Sequence, residues 1–211
     1  MTRILITSGP TRQYLDPVRY LTNASSGRMG RALAEAALTL GHEVVIVSGP
    51  VEITYPAAAE VTAVISTEEM LAASQQLFPT CDGMIGVAAP CDYRPMVVSP
   101  GKIAKTGDPL TLHLVETPDV VATLGATKRA GQWLVGFALE TDDHRLRALA
   151  KLERKCCDLM VVNGPEAMQA LDTQVEIIDR SGQVLEAITG TKEDVSHRIM
   201  RVIHERLVNP S

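Results

Sequence analysis

The stretch that decides the fold lies near the start of the chain, Ile4-Leu5-Ile6-Thr7-Ser8-Gly9-Pro10, where a short apolar run ends in turn residues. It predicts a buried first strand. From Gly27 to Leu40 apolar residues recur at helical spacing, and Gly41 is a typical residue after a helix C-terminus. Val44-Val45-Ile46-Val47 predicts a second buried strand, closed by Ser48-Gly49-Pro50. Together these segments predict a βαβ unit with parallel strands.

The same alternation of strands and helices continues along the chain. Further strands are predicted at Met84–Ala88, Leu110–Val115, Trp133–Phe137 and Leu159–Val162. Further helices are predicted from Ser66 to about Phe78, from Thr117-Pro118 onward, and from Asp142 to Cys156.

The pattern changes near the C-terminus. Gln174–Asp179 and Gln183–Ile188 flank Arg180-Ser181-Gly182, which predicts a β-hairpin, and Thr191 is expected to cap a final amphipathic helix. We therefore predict one domain over residues 1–211, of the α/β class. It is a doubly wound, Rossmann-like, mostly parallel sheet with a small antiparallel C-terminal addition.

The composition and charge of the chain argue against several classes of function. The 211 residues are 45% apolar and 3% aromatic, with a formal net charge of −5, which argues against a general nucleic-acid binder. No apolar run reaches membrane-spanning length, and from the residues at the N-terminus we expect no secretory signal. The four cysteines lack paired spacing, so a reducing, cytoplasmic location is expected. The composition favours a domain that binds small molecules.

Several familiar site patterns are missing from the sequence. No Gly-x-Gly-x-x-Gly follows the first strand, there is no P-loop, and Ser48-Gly49-Pro50 supplies no acidic ribose ligand. No cluster of His, Asp or Glu has metal-ligand spacing, so we predict no metal held by the protein alone.

Three segments fall beyond the predicted strand ends, where open α/β sheets bind ligands. Ser25-Ser26-Gly27 opens the first helix and is either an anion site or an ordinary serine cap. Asp92 could accept bonds from sugar hydroxyls, and Lys102 with Lys105 could close over phosphates, although a turn aspartate and solvated lysines fit equally well. Lys151 and Lys155 share a helix face that is either solvated or opposite an anion.

Residues 89–109 interrupt the regular pattern with several prolines and glycines. A long irregular segment inside a compact domain is typical of a functional loop, so we predict a lid here.

Taken together, these segments resemble one family. The motifs are Thr-Ser-Gly-Pro-Thr-Arg from Thr7, Asp-Pro-Val-Arg-Tyr-Leu-Thr-Asn-x-Ser-Ser-Gly-x-Met-Gly from Asp16, Asp-Tyr-Arg-Pro from Asp92, Lys-Ile-x-Lys from Lys102, Gly-Phe-Ala-x-Glu-Thr from Gly136 and Lys-Leu-x-Arg-Lys-x-x-Asp from Lys151. In this order they resemble phosphopantothenoylcysteine synthetase of coenzyme A biosynthesis.

The resemblance implies an activity and its co-substrates. It implies a ligase that joins 4′-phosphopantothenate to cysteine through an acyl-cytidylate, using CTP with Mg²⁺. It also implies a homodimer, with a phosphopantothenoylcysteine decarboxylase as a possible separate partner, since this domain is fused to one in many bacteria.

The resemblance also implies roles for individual residues. Asn23 would hold the pantothenate part, with Ala89 beside it, and Arg19 would reach its phosphate, across a dimer interface. Asn23 and Lys102 are the expected catalytic residues. Nucleotide binding is expected from Ser25, Ser26, Gly27, Gly86, Val87, Ala88, Asp92, Lys102, Val115, Glu116, Thr117, Pro118, Phe137, Lys151 and Lys155.

The sequence departs from the family pattern at a few positions, and Ala104 is one where a lysine is common. Two other functions stay open: a nicotinamide-dependent reductase on a Rossmann-like fold, and a nucleotide sensor without turnover. The absence of a Gly-x-Gly-x-x-Gly motif argues against the reductase. The presence of Asn23 together with Lys102, Lys151 and Lys155 argues against a sensor that has lost turnover.

Overall fold

A twisted sheet forms the centre of the protein, and the computed structural model describes residues 1–139, 144–163 and 173–210. In chain order the strands are β1 (Arg3–Ser8), β2 (Arg12–Asp16), β3 (Arg19–Thr22), β4 (Glu43–Ser48), β5 (Glu60–Ala63), β6 (Gly83–Gly86), β7 (Tyr93–Pro95), β8 (Leu114–Glu116), β9 (Trp133–Leu139), β10 (Leu159–Asn163), β11 (Thr173–Asp179) and β12 (Val184–Gly190). The helices are α1 (Arg28–Thr39), α2 (Thr67–Leu77), α3 (Val120–Ala126), α4 (His144–Arg154) and α5 (Lys192–Ile203).

Eight strands build the main sheet, in the order β12-β11-β10-β9-β6-β1-β4-β5. From β5 to β10 all neighbours are parallel, while β11 and β12 are antiparallel additions at one edge. The six parallel strands follow the order of a Rossmann fold, and the direction of winding reverses between β1 and β6. The predicted fold class is therefore confirmed, including its C-terminal addition.

Helices cover both faces of the sheet because successive strand residues point to opposite sides. Ile6 of β1 lies in one buried cluster with Leu33 of α1 and Ile199 of α5. Its neighbour Leu5 lies in a second cluster with Met70 of α2. Within the described ranges, no helix combines the length and apolar character needed to cross a membrane.

Helix boundaries are set by side-chain caps, some of which the sequence predicted. Ser66 accepts a hydrogen bond from the Glu69 N–H at 3.1 Å, and Thr191 caps α5 as expected. The predicted start at Thr117-Pro118 was wrong by two residues, because Asp119 rather than Thr117 caps α3 and the helix begins at Val120. The first residues of the predicted 142–156 helix lie outside the described residues.

Two short two-stranded ribbons lie outside the main sheet, and of their four strands the sequence predicted only part of β8. One is the hairpin of β2 and β3, and the other pairs β7 with β8. The Ser99 N–H donates to the Leu15 carbonyl at 2.9 Å, which joins the segment between β7 and β8 to the hairpin. We call residues 12–22 and 93–116 together the arm.

Two predictions made from the sequence for residues in the arm were wrong in part. Residues 89–109 are not wholly irregular, because Tyr93–Pro95 forms β7. The strand predicted over Leu110–Val115 covers only Leu114–Glu116, where a partner strand is available.

Candidate functional site

Two neighbouring cavities open at the carboxyl ends of the parallel strands. The first has a volume of about 420 Å³ and the second about 560 Å³. The two linings come together at Asn23, a residue of the second cavity. Its side-chain amide donates to the carbonyl of Ala89 at 3.3 Å and to that of Pro90, in the lining of the first cavity, at 2.8 Å. Both cavities lie near the point where the winding of the sheet reverses, which is where ligands bind in open α/β sheets.

The first cavity lies between β1, β6, β9 and the start of α3. Much of it is lined by residues that the sequence predicted: Gly86, Ala88, Asp92, Glu116, Thr117, Pro118, Phe137 and Lys155. The rest of its lining was not predicted: Thr7, Pro90, Cys91, Tyr93, Asp119–Ala122 and Arg154.

Backbone and hydroxyl hydrogen bonds hold the segment that carries Asp92. The Cys91 N–H donates to Thr11 Oγ1 at 2.8 Å, and the Cys91 carbonyl accepts from the hydroxyls of Thr67 and Thr117. The Thr117 N–H in turn donates to the Asp92 carbonyl at 2.9 Å. Because the backbone is fixed on both sides, the exposed Asp92 carboxylate is presented at a defined place beside the cavity.

Cys91 is buried within this segment rather than presented for chemistry. Burial raises the pKa of its thiol above the ordinary value, although hydrogen bonds with Thr11 and Asn23 oppose the shift. Its Sγ lies 3.5 Å from the Thr11 carbonyl and 3.4 Å from that of Leu21. A protonated, packed thiol agrees with the structural role expected for a small buried residue.

Lys155 contributes a cation to the lining of the first cavity, as does Arg154. Its Nζ lies 3.1 Å from Asp119 Oδ2, and the other oxygen of the same carboxylate accepts from the Ala122 N–H to cap α3. The ammonium is therefore held beside the start of α3, in the lining of the cavity. The sequence does carry a signal for part of this arrangement, since Asp119 is a typical N-cap residue directly after Thr117-Pro118.

The second cavity lies between the β3–α1 loop and the loop after β4. Asn23, Ser25 and Ser26 line it, as do Arg12, Arg28 and Glu52. The alternative of a serine cap for α1 was wrong, because Gly27 itself is the N-cap and no side chain caps the helix. Gly27 has φ 74°, and a Cβ there would lie 2.9 Å from Val51 Cγ1, so glycine suits this turn.

Arg19 is held inside the arm by a buried carboxylate. Asp16 accepts hydrogen bonds from the N–H groups of Val18, Arg19 and Ile103 and from the Arg19 guanidinium. Burial raises the pKa of Asp16, but these donors outweigh burial and hold the pKa below its ordinary value of 3.8. The Arg19 guanidinium also donates to the Ile103 carbonyl at 3.0 Å.

The structure does not bring every predicted residue to a cavity lining. Val87, Val115, Lys102 and Lys151 line neither cavity, and Lys102 is exposed on the arm. Ala89 and Arg19 also lie outside the two linings, although Ala89 contacts Asn23. The roles of these residues stay predictions.

This fold and site define a class: doubly wound α/β domains that bind small molecules beyond the carboxyl ends of their parallel strands. Residues 1–207 match the family model described as the DNA/pantothenate metabolism flavoprotein C-terminal domain. The chain belongs to that family.

Relatives and a solved structure agree with this assignment. A protein from Vibrio cholerae, the coenzyme A biosynthesis bifunctional protein CoaBC, is 39% identical over 211 residues, covering 97% of this chain and 53% of that protein. A protein from an unknown prokaryotic organism, described as cysteine/cysteine sulfinic acid decarboxylase, is 41% identical, covering 95% and 57%. The chain spans little more than half of these relatives.

The similarity extends over the full length of one solved domain. The crystal structure of the C-terminal domain of a coenzyme A biosynthesis bifunctional protein CoaBC is 37% identical, with a TM-score of 0.84, covering 99% of this chain and 98% of that one. The resemblance drawn from the motifs is thereby confirmed.

Proposed function

We propose that the chain is a phosphopantothenate–cysteine ligase. It forms an acyl-cytidylate from 4′-phosphopantothenate and CTP, releases pyrophosphate, and lets cysteine displace CMP. The single observation that carries this proposal is that the matched family and the two ligand-sized cavities cover the same residues of the chain. The 1–207 match to a pantothenate-metabolism family spans both cavities at the strand ends.

The proposed reaction requires hydrogen-bond donors and cations that the protein holds in place. It does not require a nucleophilic side chain, because the substrate carboxylate is the nucleophile. The pantothenate carboxylate attacks the α-phosphate, and the new acyl phosphate bond is then cleaved by the cysteine amine. Negative charge on the phosphates calls for cations and N–H donors aimed at it. Lys155 beside the start of α3 supplies one such cation, and the serine segment of the second cavity supplies hydroxyls.

The first cavity suits a nucleotide. Gly86, Ala88 and Phe137 would border the base, and Asp92 would accept bonds from the ribose hydroxyls. Lys155, assisted by Lys102 and Lys151 from outside the lining, would contact the triphosphate. Asn23, at the junction of the cavities, would hold the acyl end of pantothenate.

The lining also fits a role for Mg²⁺ carried by the nucleotide. Carboxylates of Asp92, Glu116 and Asp119 line the first cavity, yet the described residues contain no group of three ligands. Mg²⁺ is commonly held by phosphate oxygens with one or two carboxylates, so these residues fit it. When bound, it would offset the charge of the triphosphate.

The proposal includes a homodimer formed through the arm. Most of the large apolar side chains that are exposed in the described ranges belong to it: Val18, Tyr20, Tyr93, Met96, Val97, Val98, Leu110, Leu112 and Leu114. A concentration of exposed apolar side chains in one part of a protein is typical of an interface. Arg19, in the same arm, would reach the pantothenate phosphate of the partner.

A product assay tests the proposed function. The protein is incubated with 4′-phosphopantothenate, cysteine, Mg²⁺ and either CTP or ATP, and the amide product is measured by mass spectrometry. We expect product with CTP. Product with ATP alone would correct the nucleotide, and no product with either would contradict the ligase.

Two further measurements separate the other proposals. Tight NADPH binding in a thermal-shift screen, without a response to CTP, would favour the reductase. A decarboxylase partner is suggested by the bifunctional relatives, and co-purification with a separately expressed phosphopantothenoylcysteine decarboxylase would test it.

A further inference from the structure

The second cavity carries charged side chains for which the proposed roles have no use. Arg12, Arg28 and Glu52 line it together with Asn23. In the part of the chain that the structure describes, none of these three charged groups has an ion-pair partner. Two cations and one anion therefore share a cavity without neutralising one another.

Arg12 packs its guanidinium against an aromatic ring. Its guanidinium carbon lies 4.5 Å from the centroid of the Tyr20 ring, which packs edge-on against Tyr14 at 5.4 Å. Its backbone N–H donates to the Ile65 carbonyl at 2.8 Å. The side chain is half-buried, and no hydrogen bond of its guanidinium is found among the described residues. A fork of donors held over a ring in this way is preorganised for a carboxylate.

The separation of the Glu52 carboxylate from the two guanidinium groups indicates which kind of ligand the cavity suits. Glu52 lies more than 4.0 Å from both guanidinium groups, since no ion pair forms within that distance. A small zwitterion would place its carboxylate on Arg12 and its ammonium towards Glu52. α-Amino acids have this charge pattern, and the ligase reaction requires one.

We propose that the second cavity is the amino-acid site, in which Arg12 binds the α-carboxylate of cysteine and Glu52 holds its ammonium; this inference rests on the proposed function. Asn23 lines the same cavity and contacts Ala89 and Pro90 at the junction with the first. The amine is thus held beside the place assigned to the acyl end of the intermediate. A volume of about 560 Å³ leaves room for both groups.

The step that this arrangement serves is a simple displacement. The cysteine nitrogen forms a bond to the acyl carbon, and the bond between that carbon and the bridging phosphate oxygen breaks. CMP leaves with the electron pair, and the nitrogen releases two protons from its initial ammonium form. No oxidant or further reactant is needed.

The test compares cysteine with cysteamine, which has the same thiol and amine but no carboxylate. For Arg12→Gln we expect kcat/KM for cysteine to fall about 10- to 100-fold, as for the loss of a charge-assisted hydrogen bond. Cysteamine turnover should change little, so the wild-type preference for cysteine should disappear in the variant. Pyrophosphate release without amino acid should be unchanged.

Two other variants serve as companion and control. Glu52→Gln changes an exposed side chain, and it should raise KM for cysteine without affecting the fold. Arg31→Gln removes an exposed guanidinium of α1 that pairs with Glu35 and lines neither cavity, and it should behave as wild type.

The outcomes are separable. A raised KM for phosphopantothenate instead of cysteine, or an unaltered preference for cysteine in Arg12→Gln, would overturn the amino-acid site while leaving the ligase intact. A wild-type protein that released no pyrophosphate and made no product would contradict the proposed function itself, and the inference with it.

Discussion

Asn23 is the side chain that joins the linings of the two cavities. Its amide nitrogen donates to the carbonyls of Ala89 and Pro90, and the residue lines the second cavity. For Asn23→Ala we expect ligase turnover to fall by about 100-fold or more, because the amide that the proposal places at the acyl end of pantothenate, where charge develops in the reaction, is lost. The exposed position limits the effect on stability to about 1 kcal/mol.

Steady-state kinetics with thermal melts would check this expectation. Asn209→Ala, at an exposed position near the C-terminus, is the control for a generic loss of an amide. Near-normal turnover of a folded Asn23→Ala protein would remove Asn23 from the mechanism.

Asp16 links the acid stability of the protein to the arm. Its folded pKa lies below 3.8, so the charged form is favoured in the folded state. The stabilisation is complete above the unfolded pKa, near 3.8, and is lost as the pH falls through the folded value. We expect denaturant midpoints to fall below pH 4, about the unfolded pKa, in the wild type, and less steeply in Asp16→Asn.

A matched control uses Asp108→Asn, which changes an exposed carboxylate in the same arm. It should follow the wild-type pH profile. If Asp16→Asn and the wild type lost stability in parallel on acidification, the assigned role of the Asp16 charge would be wrong.

At the scale of elements, α1 depends on a close approach to β1. A Cβ on Gly30 would lie 2.1 Å from Ser8 Oγ, and that hydroxyl is already bonded to Tyr55 and to the Gly27 carbonyl. We expect Gly30→Ala to destabilise the fold by about 1–3 kcal/mol through overpacking, which exceeds the ~1 kcal/mol helix preference of alanine. Urea denaturation would measure this.

Gly101→Ala provides the comparison, because nothing lies within 4 Å of a Cβ built there. Its midpoint should remain close to that of the wild type. A Gly30→Ala protein as stable as Gly101→Ala would show that the helix can shift away from the strand without cost.

The strands of the main sheet other than β5, and the helices that cover it, could be predicted because burial leaves a recognisable apolar pattern in their sequences. No strand was predicted at β5, which is short and largely exposed. β1, β4 and β9 are continuous apolar runs, and α5 has an apolar stripe. The arm could not be predicted in the same way. β2 and β3 are short, partly exposed and paired only with each other in their sheet, so no alternation of apolar residues marks them.

The parts of the candidate site that lie at the ends of parallel strands could be predicted from the sequence. The parts formed by side-chain contacts between distant segments could not. Gly86, Ala88 and Phe137 lie at or near strand ends, and a parallel sheet brings such ends together. The bond between Lys155 and Asp119 joins residues 36 apart. The position of Arg12 over Tyr20 depends on a hairpin that the sequence did not reveal.

At the scale of the whole molecule, the arm is expected to decide the oligomeric state. Val97 is 77% exposed and Leu110 61%, which is costly for apolar side chains unless a partner covers them. We expect a dimer by sedimentation equilibrium and a monomer for the double variant Val97→Glu with Leu110→Glu. Charges there would oppose burial in an interface.

Leu146→Glu is the matched control, since Leu146 is 73% exposed on α4, away from the arm. It should remain dimeric. A wild-type protein that sedimented as a monomer, or a double variant that stayed dimeric, would place the proposed interface elsewhere or remove it.

The two outer strands of the main sheet have a consequence for aggregation. β5 has only four residues, and its Glu60 pairs with Arg3, while Glu186 on β12 pairs with Arg198 and Arg201. Short strands and charges at an edge discourage another chain from adding a strand. Open-ended addition of strands at either edge is thereby disfavoured. In the proposed dimer, association would instead occur through the arm, where pairing of two copies closes on itself.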